Sequence, residues 1–249
     1  MDAFGKLWDW LTDADHWTGP CDPLNCPVPT RVLQHVEISV LALALALAVA
    51  LPLGMLIGHT RRGEFLAVSV ANLGRAIPSF AIVSLVYVAI LQLKPKASFG
   101  YTPSVVALFL LAIPPILTNT YVGIQNVDGD TVEAARGMGL TERGVLLRLE
   151  LPLAAPLIVA GLRTAAVQVV ATATLAAVIG GPGLGRYIVD GFAVNDDTAV
   201  LAGAVLVAIL AIVTELGFAT LERVASPRFT SRRGRRRMEP EGGPSFKSA

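Results

Sequence analysis

ISVLALALALAVALPLGMLIG, residues 38–58, holds no charged side chain. At a rise of about 1.5 Å per residue it makes a helix about 30 Å long, the thickness of the hydrocarbon layer of a bilayer. The whole chain of 249 residues shares this character, being 53% hydrophobic and only 16% charged, with a mean hydropathy of +0.61. Soluble domains carry roughly one-quarter charged residues, so this composition excludes an ordinary water-exposed surface. Four further apolar stretches follow: residues 65–93, interrupted by Arg75 and bent near Pro78; 103–125, with Pro114 and Pro115; 151–179, with Arg163; and 198–221, with Glu215. The sequence therefore predicts an all-α polytopic membrane protein of about five transmembrane helices, with its termini on opposite sides.

Charge asymmetry orients it, because cytoplasmic loops collect lysine and arginine. Arg61, Arg62, Arg136, Arg143, Arg148 and the basic residues of 223–247 share one side, 13 in all, against five on the other: Lys6, Arg31, Lys94, Lys96 and Arg186. This predicts an extracytoplasmic segment 1–30, a membrane domain 31–224 and a cytoplasmic basic tail 225–249. The run Arg232, Arg233, Arg235, Arg236, Arg237 follows a span directly, where it reads as an anchor beside anionic lipid and not as a nucleic-acid site. The acidic start, with Asp2, Asp9, Asp13, Asp15 and Asp22 and no basic start followed by an apolar run, is not expected to be a cleavable signal. Trp8, Trp10 and Trp17 either sit at a membrane interface or belong to a free tail. Cys21 and Cys26, flanked by prolines and lacking the second half of a zinc site, are either a small disulfide loop on the outer side or two free thiols.

Between the third and fourth spans lies DGDTVEAARGMGLTERGVLLRLELP, residues 128–152. Asp130 with Glu133 has the spacing of a capping box, Gly139 is placed to end that helix in a left-handed conformation, and Thr141 can cap a second helix running to Leu149. Ala134 and Ala135 leave the first helix thin on one side. Such a pair of helices either docks a partner protein or lies on the lipid surface.

Glu133, Ala134 and Ala135, then Gly139, Leu149, Leu151 and Pro152 match the EAA motif, and on these residues the chain resembles the permeases of ABC importers. NTYVGIQNVDGDTVEAARGMG (119–139), LPLAAPLIVAGLRTA (151–165) and TATLAAVIGGPGLGRYI (172–188) resemble the osmoprotectant branch. The resemblance implies a type I permease fold in a bacterial plasma membrane, with the EAA loop docked on two ATP-binding subunits that hold the ATP and Mg. It further implies a second permease copy or a similar permease, an extracytoplasmic solute-binding protein, and glycine betaine, carnitine, choline or proline betaine as cargo. A methionine or other amino-acid permease carries the same loop and is the alternative within the family. Pro182 and Arg75 depart from the branch, which more often has a small residue and a neutral polar residue there.

Buried charges are the remaining candidates. An unpaired charge at the bilayer centre costs at least about 2.5 to 3.5 kcal/mol, so Arg75 and Arg163 should face protein or water, with Glu215 a counter-ion for one or the other. Together with Asn72, Ser79, Asn119 and Gln168 they either line a translocation path or bind helices together. Pro78, Pro114 and Pro115 are hinges or fixed kinks. Residues 180–192, GGPGLGRYIVDGF, satisfy neither phosphate-loop pattern and read as an outer turn or gate. His16, His35 and His59 are too scattered for a metal site, no hydrolase motif occurs, and no Walker sequence is present, so the chain is expected to be non-catalytic, to bind no cofactor and to borrow ATP hydrolysis from a partner. A secondary transporter would need repeated halves, which five spans and a single docking loop do not supply.

Overall fold

The computed structural model describes residues 3–21, 26–93 and 100–225, and among them there is helix but no strand. Helix α1 (Ala3–Thr12) and a 3-10 turn (Ala14–His16) precede α2 (Val28–Thr60), α3 (Glu64–Ala76), α4 (Ser79–Leu93) and α5 (Tyr101–Gln125). Then come α6 (Gly129–Gly137), α7 (Glu142–Val145), a π turn (Leu146–Glu150), α8 (Leu151–Thr172), a 3-10 segment (Ala173–Ile179), α9 (Gly185–Val194) and α10 (Asp197–Ala225). In hydrocarbon every backbone N–H and C=O must be satisfied within its own segment, so the leucine-alanine alternation of residues 41–48 folds as helix and not as strand.

From Ala42 onward the residues of α2 that turn inward are Ala42, Ala46, Ala50, Gly54 and Gly58, four apart and all buried. Residues at i and i+4 stack on one face, so they form a continuous stripe of small side chains. A Cβ placed on Gly54 would come 2.7 Å from Thr120, and one on Gly58 would come 2.8 Å from Ile124, so α2 meets α5 at near-backbone distance. Small residues at that seam let membrane helices gain dispersion contacts that lipid cannot match. Leu41, Leu45 and Leu53, each one residue before a stripe residue, are exposed on the outer face. Helix α5 is the centre of the bundle, with α2, α3, α4 and α8 packed around it. Ile38, Val105, Leu108, Ile116, Ala165, Val169 and Ala176 close the core between α2, α5, α8 and the 3-10 segment.

Among the described residues, four helices are long and apolar enough to cross a membrane: Val28–Thr60, Tyr101–Gln125, the continuous helix Glu142–Ile179, and Asp197–Glu222. The predicted second span, 65–93, is divided and not merely bent. Ile77 is extended, at φ −77° and ψ 127°, because a residue before proline is driven out of the α region, and Pro78 separates α3 from α4. Of the pair, α4 is the apolar member, with 15 residues.

The N-terminal segment also differs from a polar lead-in. Its helix α1 packs against α10, and α2 begins at Val28, so a boundary at residue 30 falls inside a helix. Cys21 is bonded to Cys26, and the Tyr187 hydroxyl donates to the Cys26 carbonyl. Trp10 stacks on His16 with centroids 4.0 Å apart and meets Tyr187 edge-on at 5.4 Å, while the Trp17 indole donates to the Leu11 carbonyl at 2.7 Å. Two of the three tryptophans thus serve packing within the chain, and burial raises the Tyr187 phenol above its ordinary value. The Arg75 side chain, Lys94, Lys96 and the tail beyond residue 225 lie outside the described residues.

Candidate functional site

The segment 128–152 folds as a compact unit at one end of the bundle. Asp128 is the N-cap of α6, its carboxylate accepting from the Asp130 amide at 3.3 Å and the Thr131 hydroxyl at 3.1 Å. The expected Asp130–Glu133 capping box is therefore displaced: Asp128 stands outside the helix where a cap is needed, and Asp130 is already in its first turn. The other end matches its expectation. Gly139 has φ +90°, its amide donates to the Arg136 carbonyl at 2.9 Å, and the Leu140 amide donates to the Ala135 carbonyl at 3.2 Å. This pair of bonds is a Schellman motif, which satisfies the last carbonyls of α6 and turns the chain sharply. Thr141 then caps α7, its hydroxyl accepting from the Gly144 amide at 3.3 Å.

The second helix does not end at Leu149. It passes through the π turn into α8, and residues 142–179 form one helix of 38 residues. Pro152 cannot donate the backbone bond an α register requires there, and the wider turn over Leu146–Glu150 carries the helix past it. The unit is thus joined rigidly to a membrane span. Val127, Val132, Ala135 and Val145 form its small core, with Leu140 and Leu149 against it. Of the EAA-like residues, Ala135 and Leu149 face this core, Leu151 is half-buried, and Glu133, Ala134, Gly139 and Pro152 are exposed. Met138, 77% exposed, stands beside them. A shallow groove of about 440 Å³ between the helices is lined by Gly139, Leu140, Thr141, Arg143, Leu147 and Arg148.

A chain of polar side-chain contacts ties this unit to α2. Arg136 grips Glu142 with two bonds of 2.9 and 3.0 Å, Glu142 lies 3.2 Å from His59 Nε2, and His59 Nδ1 lies 2.6 Å from Glu150. Pairing with Glu142 raises the Arg136 guanidinium above its ordinary value. None of these contacts is suggested by spacing, since 91 residues separate His59 from Glu150.

The candidate path residues are not gathered in one place. Arg163 pairs with Glu215, as its sequence position allowed, and at 2.9 Å with Glu222. Glu222 lies just beyond the predicted end of the last span. The signal that could have found it is its spacing of seven from Glu215, two helical turns along the same face. These three side chains line a groove of about 480 Å³ that also holds Gln168 and Thr164. Asn119 is elsewhere, at the α5–α8 crossing: its amide donates to the Pro115 carbonyl at 2.8 Å, and Gly161 packs against its side chain. Asn72 is exposed on α3, and Ser79 opens α4.

At the opposite end the glycine-rich turn docks on α2. His35 Nε2 lies 2.9 Å from the Val170 carbonyl, while its Nδ1 accepts from the Leu184 amide at 3.3 Å. Gly183, at φ +111°, lies so close that a Cβ there would come 3.0 Å from His35 Nδ1.

Residues 50–226 match the family described as binding-protein-dependent transport system inner membrane component. The choline transport system permease protein OpuBB of Bacillus subtilis (strain 168) is 38% identical over 197 residues, covering 79% of this chain and 88% of that protein. The glycine betaine/carnitine/choline transport system permease protein OpuCB of the same organism is 36% identical over 195 residues, covering 78% and 87%. The osmoprotectant import permease protein OsmY of Salmonella typhimurium is 33% identical over 196 residues, covering 78% and 80%. Among solved structures, an inward-facing form of the MetNI methionine ABC transporter superposes with a TM-score of 0.72 at 20% identity, over 80% of this chain and 96% of that one. With four long apolar helices among the described residues, a motif-bearing loop at one end of the bundle, a type I importer permease fold and this extent of similarity, the chain belongs to the inner membrane components of binding-protein-dependent transport systems.

Proposed function

We propose that the chain is the pore subunit of an importer for compatible solutes bearing a quaternary ammonium group, such as glycine betaine, carnitine, choline or proline betaine. The observation that carries this reading is the joining of the EAA-like loop to a membrane span without a break, in a chain whose relatives are named for choline, carnitine and glycine betaine. A push on α6 or α7 cannot be absorbed by a flexible link, so motion of a docked protein passes into α8. The docked proteins are two ATP-binding subunits, which bind ATP and Mg and carry out the hydrolysis. They meet Glu133, Ala134 and Gly139 on the exposed side, while Ala135, Leu149, Leu151 and Pro152 hold the loop in shape.

In this reading α6 and α7 face the cytoplasm, the disulfide and residues 1–30 face outward, 31–224 form the membrane domain, and the basic tail 225–249 lies in the cytoplasm beside lipid. A second copy or a similar permease completes the path, a solute-binding protein delivers cargo from outside, and no cofactor or metal is held by this chain. Arg163 and Gln168 are the path candidates that share a groove. Asn119 stands apart from it and acts in helix packing, while Asn72, Arg75 and Ser79 are path candidates on the sequence alone.

Uptake tests this directly. The chain is reconstituted with its ATPase and binding protein, and ATP-dependent accumulation of labelled choline, carnitine and glycine betaine is compared with that of methionine. Accumulation of a quaternary ammonium solute is expected; uptake of methionine alone would assign the chain to the amino-acid importers instead.

A further inference from the structure

At the end of α2, His59 stands between two carboxylates. Its Nδ1 lies 2.6 Å from Glu150 Oε2 and its Nε2 lies 3.2 Å from Glu142 Oε2. A neutral imidazole has one N–H, and only the imidazolium donates from both edges. Glu142 is held by both guanidinium bonds of Arg136, which keeps it an acceptor. The Glu150 side chain is 7% exposed, so its charge has almost no water to fall back on. Arg136, Glu142, His59 and Glu150 therefore alternate in sign and sum to zero when the ring carries both protons. Removing one proton leaves a buried carboxylate uncompensated. The two nitrogens point to opposite sides of the ring and cannot converge on one metal ion.

We infer that His59, as an imidazolium, is a positioning residue for coupling, clamping the end of the first span to both ends of the α7–π-turn segment. Glu142 opens that segment and Glu150 closes it, so one ring fixes its two ends against α2. Loss of a ring proton releases one end and loosens the surface offered to the ATPase. This inference rests on segment 128–152 being the ATPase-docking element. Other charged or titratable groups on elements packed against α2, or sharing this cluster, are Glu64 and Arg75 of α3, Tyr101 and Tyr121 of α5, Arg143 of α7, Arg148 of the π turn and Arg163 of α8. Arg61 and Arg62 follow on its own segment. Among the described residues, the carboxylates within 4.0 Å of the ring are Glu142 and Glu150.

The test uses the complete transporter in proteoliposomes, with solute moved per ATP followed from about pH 6 to pH 9 on the loop's face, across and beyond the range in which histidine titrates. Coupling of the parent is expected to fall severalfold as pH rises, in step with loss of the His59 imidazolium signal in nitrogen NMR. The chain has 3 histidines, so that signal is assigned by substitution. Glu142→Gln is the discriminating variant. Its amide can donate to Nε2 while Nδ1–H still serves Glu150, so a neutral ring keeps both contacts and coupling should persist at high pH. His59→Arg, a fixed cation, should likewise be insensitive to pH, and His59→Gln should couple poorly throughout. Parent-like coupling and pH profile in His59→Gln, or loss of the imidazolium signal with no change in coupling, would overturn the inference. Should His59→Gln fail to assemble, a Glu142→Gln profile that still falls like the parent's overturns it as well. Gly139→Val in the same vesicles separates the two levels: normal coupling there defeats the docking reading, whereas uncoupling there beside indifferent His59 variants defeats the role of His59 alone.

Discussion

Gly139 and Gly137 lie two residues apart, and a Cβ on either would meet nothing within 4 Å, yet they differ in backbone. Gly139 has φ +90° and Gly137 closes α6. Gly139→Ala is expected to destabilise the loop by about 1 kcal/mol, from the left-handed conformation alone, and Gly139→Asn by less. Gly137→Ala should be neutral or slightly stabilising, since alanine is the better helix former. Thermal unfolding of the purified permease distinguishes these outcomes; equal effects at 137 and 139 would contradict the assigned turn. At Arg163 the cost lies in what is left behind. Arg163→Gln strands Glu215 and Glu222 on one helix face, so membrane-inserted yield should fall, and adding Glu215→Gln with Glu222→Gln should restore it. Much of this was legible in the residues themselves: glycine where φ must be positive, threonine where a helix needs a cap, a carboxylate opposite a span arginine. Asp128 as the cap was not, because two aspartates two apart compete for one position and the chain's entry direction decides. His59 was not, because its partners come from a distant segment.

Elements follow from the same residues read at a fixed period. The buried stripe of α2 at 42, 46, 50, 54 and 58 is spaced by four, and that spacing was present in the sequence beneath the leucine-alanine alternation. Ala46, fully buried at the α2–α5 seam, should not tolerate Ala46→Leu, which forces the helices apart at a cost of about 1 to 3 kcal/mol. The matching exposed change, Leu45→Ala, should leave stability in lipid nearly unchanged. Thermal aggregation of the two variants in the same membrane is the check, and equal midpoints would place the seam elsewhere. Pro78 marked a disturbance in the second span, but whether a helix bends or breaks depends on the residue before the proline, and Ile77 took the extended conformation. The passage of α7 into α8 was hidden for the opposite reason. Pro152 reads as a stop, and only the π turn, a backbone adjustment with no residue signature, carries the helix through.

For the whole molecule, orientation rests on the count of basic residues, and the fold separates the two faces that count implies. The loop with Met138 and the turn after α2 lie at one end, joined through His59, while the disulfide, Tyr187 and the glycine-rich turn lie at the other. In a background with both cysteines replaced, Met138→Cys in cells lacking the ATPase should react with an impermeant thiol reagent only after permeabilisation. Val194→Cys, 72% exposed at the other end, should react in intact cells. The reverse pattern would invert the topology. Coupling itself is tested most directly by Glu133→Ala and Gly139→Val in proteoliposomes holding the ATPase and binding protein, with solute uptake and binding-protein-stimulated ATP turnover recorded together. Glu133 sits exposed at the middle of α6, where its carboxylate can meet a basic group on the ATPase. Uptake should fall in both variants and stimulation should be lost with it, more severely for Gly139→Val; normal uptake with normal stimulation in both would contradict the coupling role of residues 128–152.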